Sequence, residues 1–198
     1  MDWLQLAEDF ENATEPSASE PIPTRYEMAD MRPPGLLQEG HEMNDNIRDS
    51  LANFDSDKVC RTYDQIRMQD LFLSSCTRVT YGESFRGNQE RIMAYNNWTS
   101  LHFVAGICTP RRWGKSWALA MFVACLMYWI ADIIICIYSP GLRASSKEDG
   151  LLGHVGRFLG TMGIRSNIEN NSSDYFKFKL NGSFREVKAF PGGTVGYG

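Results

Sequence analysis

The longest apolar stretch of the chain is ALAMFVACLMYWIADIIICIY, residues 118–138, and it carries one charge, at Asp132. Its 21 residues meet the length of a transmembrane helix. The alternative is a division into a buried helix over 116–130, a turn at Ala131 and Asp132, and a buried β-branched strand over 133–138. Because an aspartate is costly in a bilayer and suits a turn, we favour the division and keep the membrane span as the alternative.

Apolar residues upstream predict one strand and two helices. LHFVAGIC, residues 101–108, is short, apolar and favourable for β structure, which is typical of a buried parallel strand. We expect this strand to lie in the same sheet as 133–138. Apolar residues at mixed spacings of three and four predict a helix over 57–76, and Asn88 is suited to cap another helix over 89–98.

Beyond the apolar stretch, the sequence predicts a helix and then a β-hairpin. The capping-box pattern S-x-x-E at 145–148 precedes apolar residues that mark one face of an amphipathic helix ending near Met162. YFKFKL, residues 175–180, alternates apolar and basic residues, and Asn181-Gly182 is a strong signal for a two-residue hairpin turn. Residues 183–190 then return as the second strand. These elements together predict an α/β fold.

Charge divides the chain into an acidic leader and a basic body. Residues 1–58 hold fourteen acidic and four basic side chains, a balance of −10. Residues 59–198 hold ten acidic and sixteen basic side chains, a balance of +6, and the two parts together give the net charge of −4. Only the body has the sign of charge that could face a polyanion.

The leader, residues 1–58, is rich in Glu, Asp, Ser and Pro and has little to bury, so we expect it to be mostly flexible. The run of Pro33, Pro34 and Gly35 argues against a long helix in this region. Short helices are possible around residues 3–10 and 44–54. The predicted organisation is therefore a flexible leader over 1–58 and a folded α/β domain over 59–198.

The other chemistry-bearing residues are scattered. The five cysteines form no C-x-x-C pair and the three histidines lie far apart, so we expect neither a zinc site nor a disulfide scaffold. The acidic N-terminal residues lack the basic stretch of a secretory signal. We therefore expect a reducing, intracellular compartment and no membrane partner.

The candidate chemistry lies in TPRRWGKS, residues 109–116. A phosphate-binding loop needs a strand, a tight turn of exposed backbone N–H groups and a helix N-terminus directed at the anion. Here 101–108 supplies the strand and the apolar stretch supplies the helix. In such a loop Lys115 would reach the β- and γ-phosphates of ATP, and the Ser116 hydroxyl would hold Mg²⁺. The general pattern G-x-x-x-x-G-K-[ST] has a first glycine where this chain has Thr109.

The form of the motif that departs from the general pattern is similar to the motif of one family. PRRWGKSW closely resembles the deviant Walker A motif of viral large terminase subunits, the ATPases that drive DNA into capsids, and the herpesvirus-type members look most similar. The resemblance covers residues 85–198, because the apolar helix, a strand ending IYSP, the next helix, the hairpin and a glycine-rich loop follow the family's order. It implies a parallel sheet of P-loop NTPase type flanked by helices.

The resemblance implies roles for individual residues. Lys115 would neutralise the β- and γ-phosphates, and Arg111 would act in cis on the γ-phosphate as the family's catalytic arginine. Arg112 would do the same or contact a neighbouring element, and charge balance on a solvated turn is the alternative for both arginines. Gln89 matches a glutamine that reads the adenine edge, with a solvated surface glutamine as the alternative. The implied set for ATP is Thr109, Pro110, Arg111, Arg112, Trp113, Gly114, Lys115, Ser116 and Gln89, with Ser116 on Mg²⁺.

The resemblance also implies partners and a location. The partners would be double-stranded DNA, other terminase subunits, and the portal and capsid, with self-association of the full-length protein. The location would be the host nucleus or the site of viral assembly. The rival interpretations are another helicase-like P-loop translocase and a single-span membrane protein that uses residues 118–138.

The closing sequence PGGTVGYG resembles the glycine-rich loop that precedes the Walker B strand in this family. The catalytic glutamate lies on that strand, and an RNase H-type nuclease domain follows later. We therefore expect the front part of an ATPase domain, which binds ATP weakly by itself and does not hydrolyse it.

Overall fold

The computed structural model describes residues 34–55, 60–110, 112–139, 150–164, 168–172 and 174–191. The helices are α1 (Pro34–Asn53), α2 (Tyr63–Ser75), α3 (Thr77–Tyr81), a 3-10 helix (Gly82–Phe85), α4 (Gln89–Asn96), α5 (Lys115–Trp129) and α6 (Leu151–Thr161). The strands are β1 (Ile134–Ser139), β2 (Ile168–Ser172), β3 (Tyr175–Leu180) and β4 (Ser183–Pro191). All of these elements belong to the unit Pro33–Gly198, which is α/β as predicted.

Helix α5 forms the centre of the core. Every residue from 120 to 127 is buried, and a helix that is apolar on all sides must be surrounded by other elements. Helices α1, α2 and α6 pack against it. The chain leaves α5 after Trp129, turns at Ala131 and Asp132, and enters β1, so the predicted division of the apolar stretch is confirmed. Among the helices that the structure describes, none combines the length and the apolar character needed to span a bilayer.

The strands form one small mixed sheet in the order β1-β4-β3-β2. Strands β1 and β4 are parallel, and β3 is antiparallel to both of its neighbours. The predicted hairpin between β3 and β4 is confirmed: Asn181 and Gly182 both have positive φ, 51° and 85°, as a type I′ turn requires. Asp132 Oδ1 accepts a hydrogen bond of 3.1 Å from Phe184 N. This bond holds the start of β4 beside the end of α5.

Residues 101–108 form neither helix nor strand, so the predicted parallel strand is wrong for this fold. Val104 is 86% exposed, and the parallel neighbour of β1 is β4, with Ile135 opposite Val187. The hairpin carries β4 to this position, and Asp132 fixes its start there. A β-favouring run becomes a strand only when a neighbouring strand supplies hydrogen-bond partners, and residues 101–108 pair with none of the described strands.

Helix α1 corrects the expectation of a flexible leader for residues 34–53. Pro34 is the first residue of this 20-residue helix, where a missing N–H breaks no hydrogen bond. Ile47 and Leu51 are buried in the core, and Asn44 Nδ2 donates to Asn96 Oδ1 of α4 at 3.2 Å. The helix therefore belongs to the folded unit. Residues 1–33 lie outside the described residues.

Three other predicted helices are present, and the differences from the prediction concern their starts or their caps. The helix predicted over 57–76 begins at Tyr63. Helix α4 begins after Asn88 as predicted, but the Asn88 side chain does not cap it and instead donates from Nδ2 to Ser84 O at 2.9 Å. Helix α6 begins at Leu151, and the predicted capping box at 145–148 lies outside the described residues.

Candidate phosphate-binding site

The loop that precedes α5 presents an uncapped helix N-terminus. Arg112 and Gly114 have positive φ, 66° and 88°, and α5 begins at the next residue, Lys115. The first turn of α5 contains no acidic residue, and within the described residues no side chain caps it. The first N–H groups of a helix have no partner inside the helix and carry the positive end of its dipole. This end of α5 is therefore suited to an anion.

The Lys115 side chain lies back over the loop. Its Nζ donates to Thr109 O at 3.5 Å and to Pro110 O at 3.3 Å, and the residue is exposed. Both distances are long for a hydrogen bond from nitrogen to oxygen, so these bonds are weak. A phosphate oxygen is a stronger partner for an ammonium group than a neutral carbonyl. Ser116, the next residue, is also exposed.

Gln65 of α2 supports the loop from the other side. Its Nε2 donates to Trp113 O at 3.1 Å, and its Oε1 accepts from Thr62 N at 2.9 Å. Thr62 and Gln65 also form the capping box that begins α2. A Cβ at Gly114 would lie 2.7 Å from Gln65 Nε2. The positive φ favours glycine at this position, and a Cβ there would have to displace the Gln65 amide.

Gln69, one turn later on α2, holds the first turn of α5. Its Nε2 donates to Ala118 O at 2.9 Å, and its Oε1 accepts from Arg61 Nη1 at 2.7 Å. Arg61 also forms an ion pair with Asp55, with Nη2 2.8 Å from Oδ2. Hydrogen bonding from Arg61 lowers the pKa of Asp55 below its usual value. Residues four apart lie on the same face of a helix, so Gln65 and Gln69 together fix the loop and the helix start.

Trp117 anchors the start of α5 to α6. Its ring makes an edge-to-face contact with Phe158, with 4.7 Å between ring centroids, and a second with His154 at 5.3 Å. Such aromatic pairs add to the energy of burial and fix ring orientation. The tryptophan that follows G-K-S in the motif is therefore explained by packing.

A cleft of about 610 Å³ opens beside the loop. One wall is α2, with Asp64, Arg67 and Leu71, and the other is residues 106–110 with Trp113. The Oγ1 atom of Thr109 is buried and has no hydrogen-bond partner among the described residues. An unpaired buried hydroxyl is costly, and a bound polar ligand is one way to satisfy it.

The predicted site residues are brought together in part. Thr109, Pro110, Trp113, Gly114 and Lys115 are joined by the contacts above, with Arg112 and Ser116 exposed in the same segment. Arg111 lies outside the described residues. Gln89 is an exposed residue at the start of α4, and the buried apolar residue of that helix, Ile92, packs in a separate cluster with Leu37, Tyr81 and Phe85.

Sequence reasoning missed the two supporting glutamines. The pattern T-x-x-Q at 62–65 was a readable capping box, but no periodicity shows which loop such a side chain contacts.

Within the described residues, no group of three or more His, Cys, Asp or Glu side chains could hold a metal ion. No protein-family model matches this chain, and no curated protein matches it significantly.

Proposed function

We propose that residues 109–116 bind the triphosphate of ATP, and that the chain is the nucleotide-binding part of a viral terminase large subunit. The observation that carries the proposal is Lys115, at the first position of a buried helix with its ammonium group over the loop carbonyls. On binding, Lys115 exchanges its two weak bonds for the β- and γ-phosphates. The N–H groups of residues 112–116 donate hydrogen bonds to the remaining phosphate oxygens.

The exposed Ser116 hydroxyl is an oxygen donor of the kind that Mg²⁺ accepts, and it lies directly after Lys115. Bound Mg²⁺ would supply charge neutralisation between the β- and γ-phosphates. Arg111 and Arg112 carry planar guanidinium groups suited to phosphate oxygens, and we assign the γ-phosphate to Arg111.

The terminase assignment is supported by PRRWGKSW and by the order of helix, strand, helix and hairpin that follows it. We propose double-stranded DNA as the polymer moved, with other terminase subunits, the portal and the capsid as partners. A P-loop-type sheet built on the parallel pair β1–β4, self-association and a place in the host nucleus or at the assembly site belong to the same proposal.

Titration with a fluorescent ATP analogue in Mg²⁺ tests the site. Lys115→Ala is expected to weaken binding about 10- to 100-fold, because one charge-assisted contact contributes about 1.5–3 kcal/mol. Arg86→Ala is the matched control, since Arg86 is an exposed cation next to the 3-10 helix. Equal affinity of Lys115→Ala and the parent, with unchanged circular dichroism, would remove the phosphate-loop assignment.

A further inference from the structure

The sheet has one buried face and one exposed face. Side chains alternate between the two faces along each strand. Phe176 and Phe178 of β3 and Val187 of β4 are buried, and Gly156 of α6 comes so close that a Cβ there would lie 2.9 Å from the Phe176 ring. Helix α6 therefore covers this inner face.

The opposite face carries lysines and aromatic rings in register. Lys177 pairs with Glu186, Lys179 with Phe184, and Tyr138 of β1 with Phe190 of β4. We call this surface the outer face. Its principal side chains are Lys177, Lys179, Lys188, Tyr138, Phe184 and Phe190.

The rings and ammonium groups of the outer face form two clusters, one around Phe184 and the other around Phe190, six positions further along β4. Lys177 Nζ is 4.4 Å from the ring centroid of Phe184, and Lys179 Nζ is 5.3 Å from it. Tyr138 and Phe190 are stacked, with centroids 5.2 Å apart and ring planes at 19°. Tyr138 is nonetheless 73% exposed, so its ring remains open to a further stacking partner.

The outer face is also positively charged. Among the described side chains of β1, β3 and β4 on this face, three lysines stand beside one carboxylate, Glu186, which gives a balance of +2. Glu186 forms an ion pair with Lys188, so that lysine is already partly neutralised. Lys177 and Lys179 supply the excess charge beside Phe184.

Ammonium groups interleaved with open aromatic rings complement a chain of phosphates whose bases are unpaired. Each phosphate neutralised contributes a salt-dependent term, and each base stacked on a ring adds binding without sequence preference. A duplex keeps its base faces stacked internally, so it cannot use the rings in this way. A purely acidic polypeptide would use the lysines and gain nothing from the rings.

We propose that the outer face binds single-stranded nucleic acid, with a base stacked on the Tyr138–Phe190 pair and phosphates on Lys177 and Lys179. This site shares no residue with the phosphate loop, and it does not rest on ATP binding.

Fluorescence anisotropy with a labelled (dT)15 oligonucleotide tests the proposal. The double variant Lys177→Gln, Lys179→Gln is expected to bind about tenfold more weakly, and its slope of log K against log salt should fall by about 1.4, from 0.7 for each lost phosphate contact. Tyr138→Leu should also bind roughly tenfold more weakly, because a stacked base is lost. Glu186→Gln should bind more tightly, since it frees Lys188.

Arg157→Gln is the matched control, because Arg157 is an exposed cation on α6, the helix that covers the inner face. It should bind (dT)15 as the parent does. Polyglutamate that binds as tightly as (dT)15 would overturn the proposal. So would a duplex of the same length whose affinity falls as much as that of (dT)15 in Tyr138→Leu, or unchanged affinity of Tyr138→Leu for (dT)15.

Cysteine protection gives an independent test on the parent chain. Cys136 is exposed and lies opposite Lys188 in register, whereas Cys60 and Cys108 are exposed elsewhere. Saturating (dT)15 should slow maleimide alkylation of Cys136 and leave Cys60 and Cys108 unchanged, as measured by peptide mass. Unchanged alkylation of Cys136, or protection of Cys108 in its place, would contradict a site on the outer face.

Discussion

The two ends of α5 are held in different ways. At the C-terminal end, Asp132 accepts from Phe184 N, and Ile133 O accepts from Glu186 N at 2.9 Å, so the turn is tied directly to β4. At the N-terminal end, Gln65 and Gln69 hold the backbone, while the bonds of Lys115 to other described residues are two long ones to the loop. The 15 residues of α5 separate these ends by about 22 Å.

The difference separates a structural end from a binding end. Polar groups at the Asp132 turn are committed to the sheet, and a ligand there would have to break structural bonds. At the loop, the backbone is fixed by its neighbours and the cationic side chain is not. A binding site needs this combination of a rigid frame and an exchangeable charged group.

The largest effect is expected at the binding end. Gly114→Ala should destabilise the protein by about 2 kcal/mol or more, because alanine is strained at positive φ and its Cβ would displace Gln65. Binding of the ATP analogue should fall with it. Urea unfolding and nucleotide titration measure the two effects.

Gly87→Ala is the matched control for that substitution. Gly87 has φ 77°, similar to Gly114, but a Cβ there would have no neighbour within 4 Å. It should therefore show the cost of the φ angle alone. Adding Gln65→Ala to Gly114→Ala should recover part of the difference, and equal losses at both glycines would show that the Gln65 contact has no energetic role.

The second effect concerns the support of the helix start. Gln69→Leu should lower the free energy of unfolding by about 2 kcal/mol, because it removes a buried amide and leaves the part-buried Arg61 Nη1 without its acceptor. Gln38→Leu, at an exposed glutamine of α1, should change it by less than about 0.5 kcal/mol. If thermal unfolding showed similar effects for the two substitutions, the proposed contribution of Gln69 to stability would be contradicted.

The third effect tests the structural end. Asp132→Ala should cost about 1 kcal/mol, through the lost hydrogen bond to Phe184 N and the positive φ of 53°. Asp132→Asn keeps both an acceptor and tolerance of that φ, so it should be close to the parent. Affinity for the ATP analogue should be the same in all three proteins. A loss of nucleotide binding in Asp132→Ala would show that the two ends are not independent.

The smallest effect is a dependence on pH. The folded-state pKa of Asp55 lies below its usual 3.8, so the folded protein holds the proton less tightly than the unfolded chain. The Arg61–Asp55 pair thus stabilises the fold above pH 3.8 and loses that effect as the pH falls through the folded-state pKa. Unfolding free energies at pH 6 and pH 3 should differ more in the parent than in Asp55→Asn. Parallel pH profiles would contradict this.

The elements predicted well were those with local causes. Asn181-Gly182 specifies a hairpin by its own φ preferences, and Asp132 marks the end of a helix that would otherwise run on into the strand. The strand predicted over residues 101–108 was wrong because a strand depends on hydrogen-bond partners elsewhere in the chain. Helix α1 does not follow from the sequence pattern, because proline breaks a helix in its interior but is tolerated at its first position, where Pro34 lies.

The residues of the candidate loop could be predicted from the sequence, but the residues of other helices that hold the loop in place could not. The residues of the loop follow from one motif, and Lys115 was identified from it. Gln65 and Gln69 act across 48 and 49 positions of sequence, so only the tertiary fold shows what they contact. Gln89 was chosen by its spacing from the motif, and spacing carries no information about which helix packs where.

The amide of Gln65 has one further consequence. Its oxygen closes the cap of α2 and its nitrogen holds the carbonyl of Trp113, so a single planar group is shared by a helix start and a binding loop. A reversed amide would set N–H against N–H at Thr62 and oxygen against oxygen at Trp113, which fixes its orientation. Any ligand that shifts the loop backbone must also pull on the first turn of α2. A change in the loop should therefore alter how readily the first turn of α2 opens. Hydrogen exchange of the first amides of α2 would measure this change.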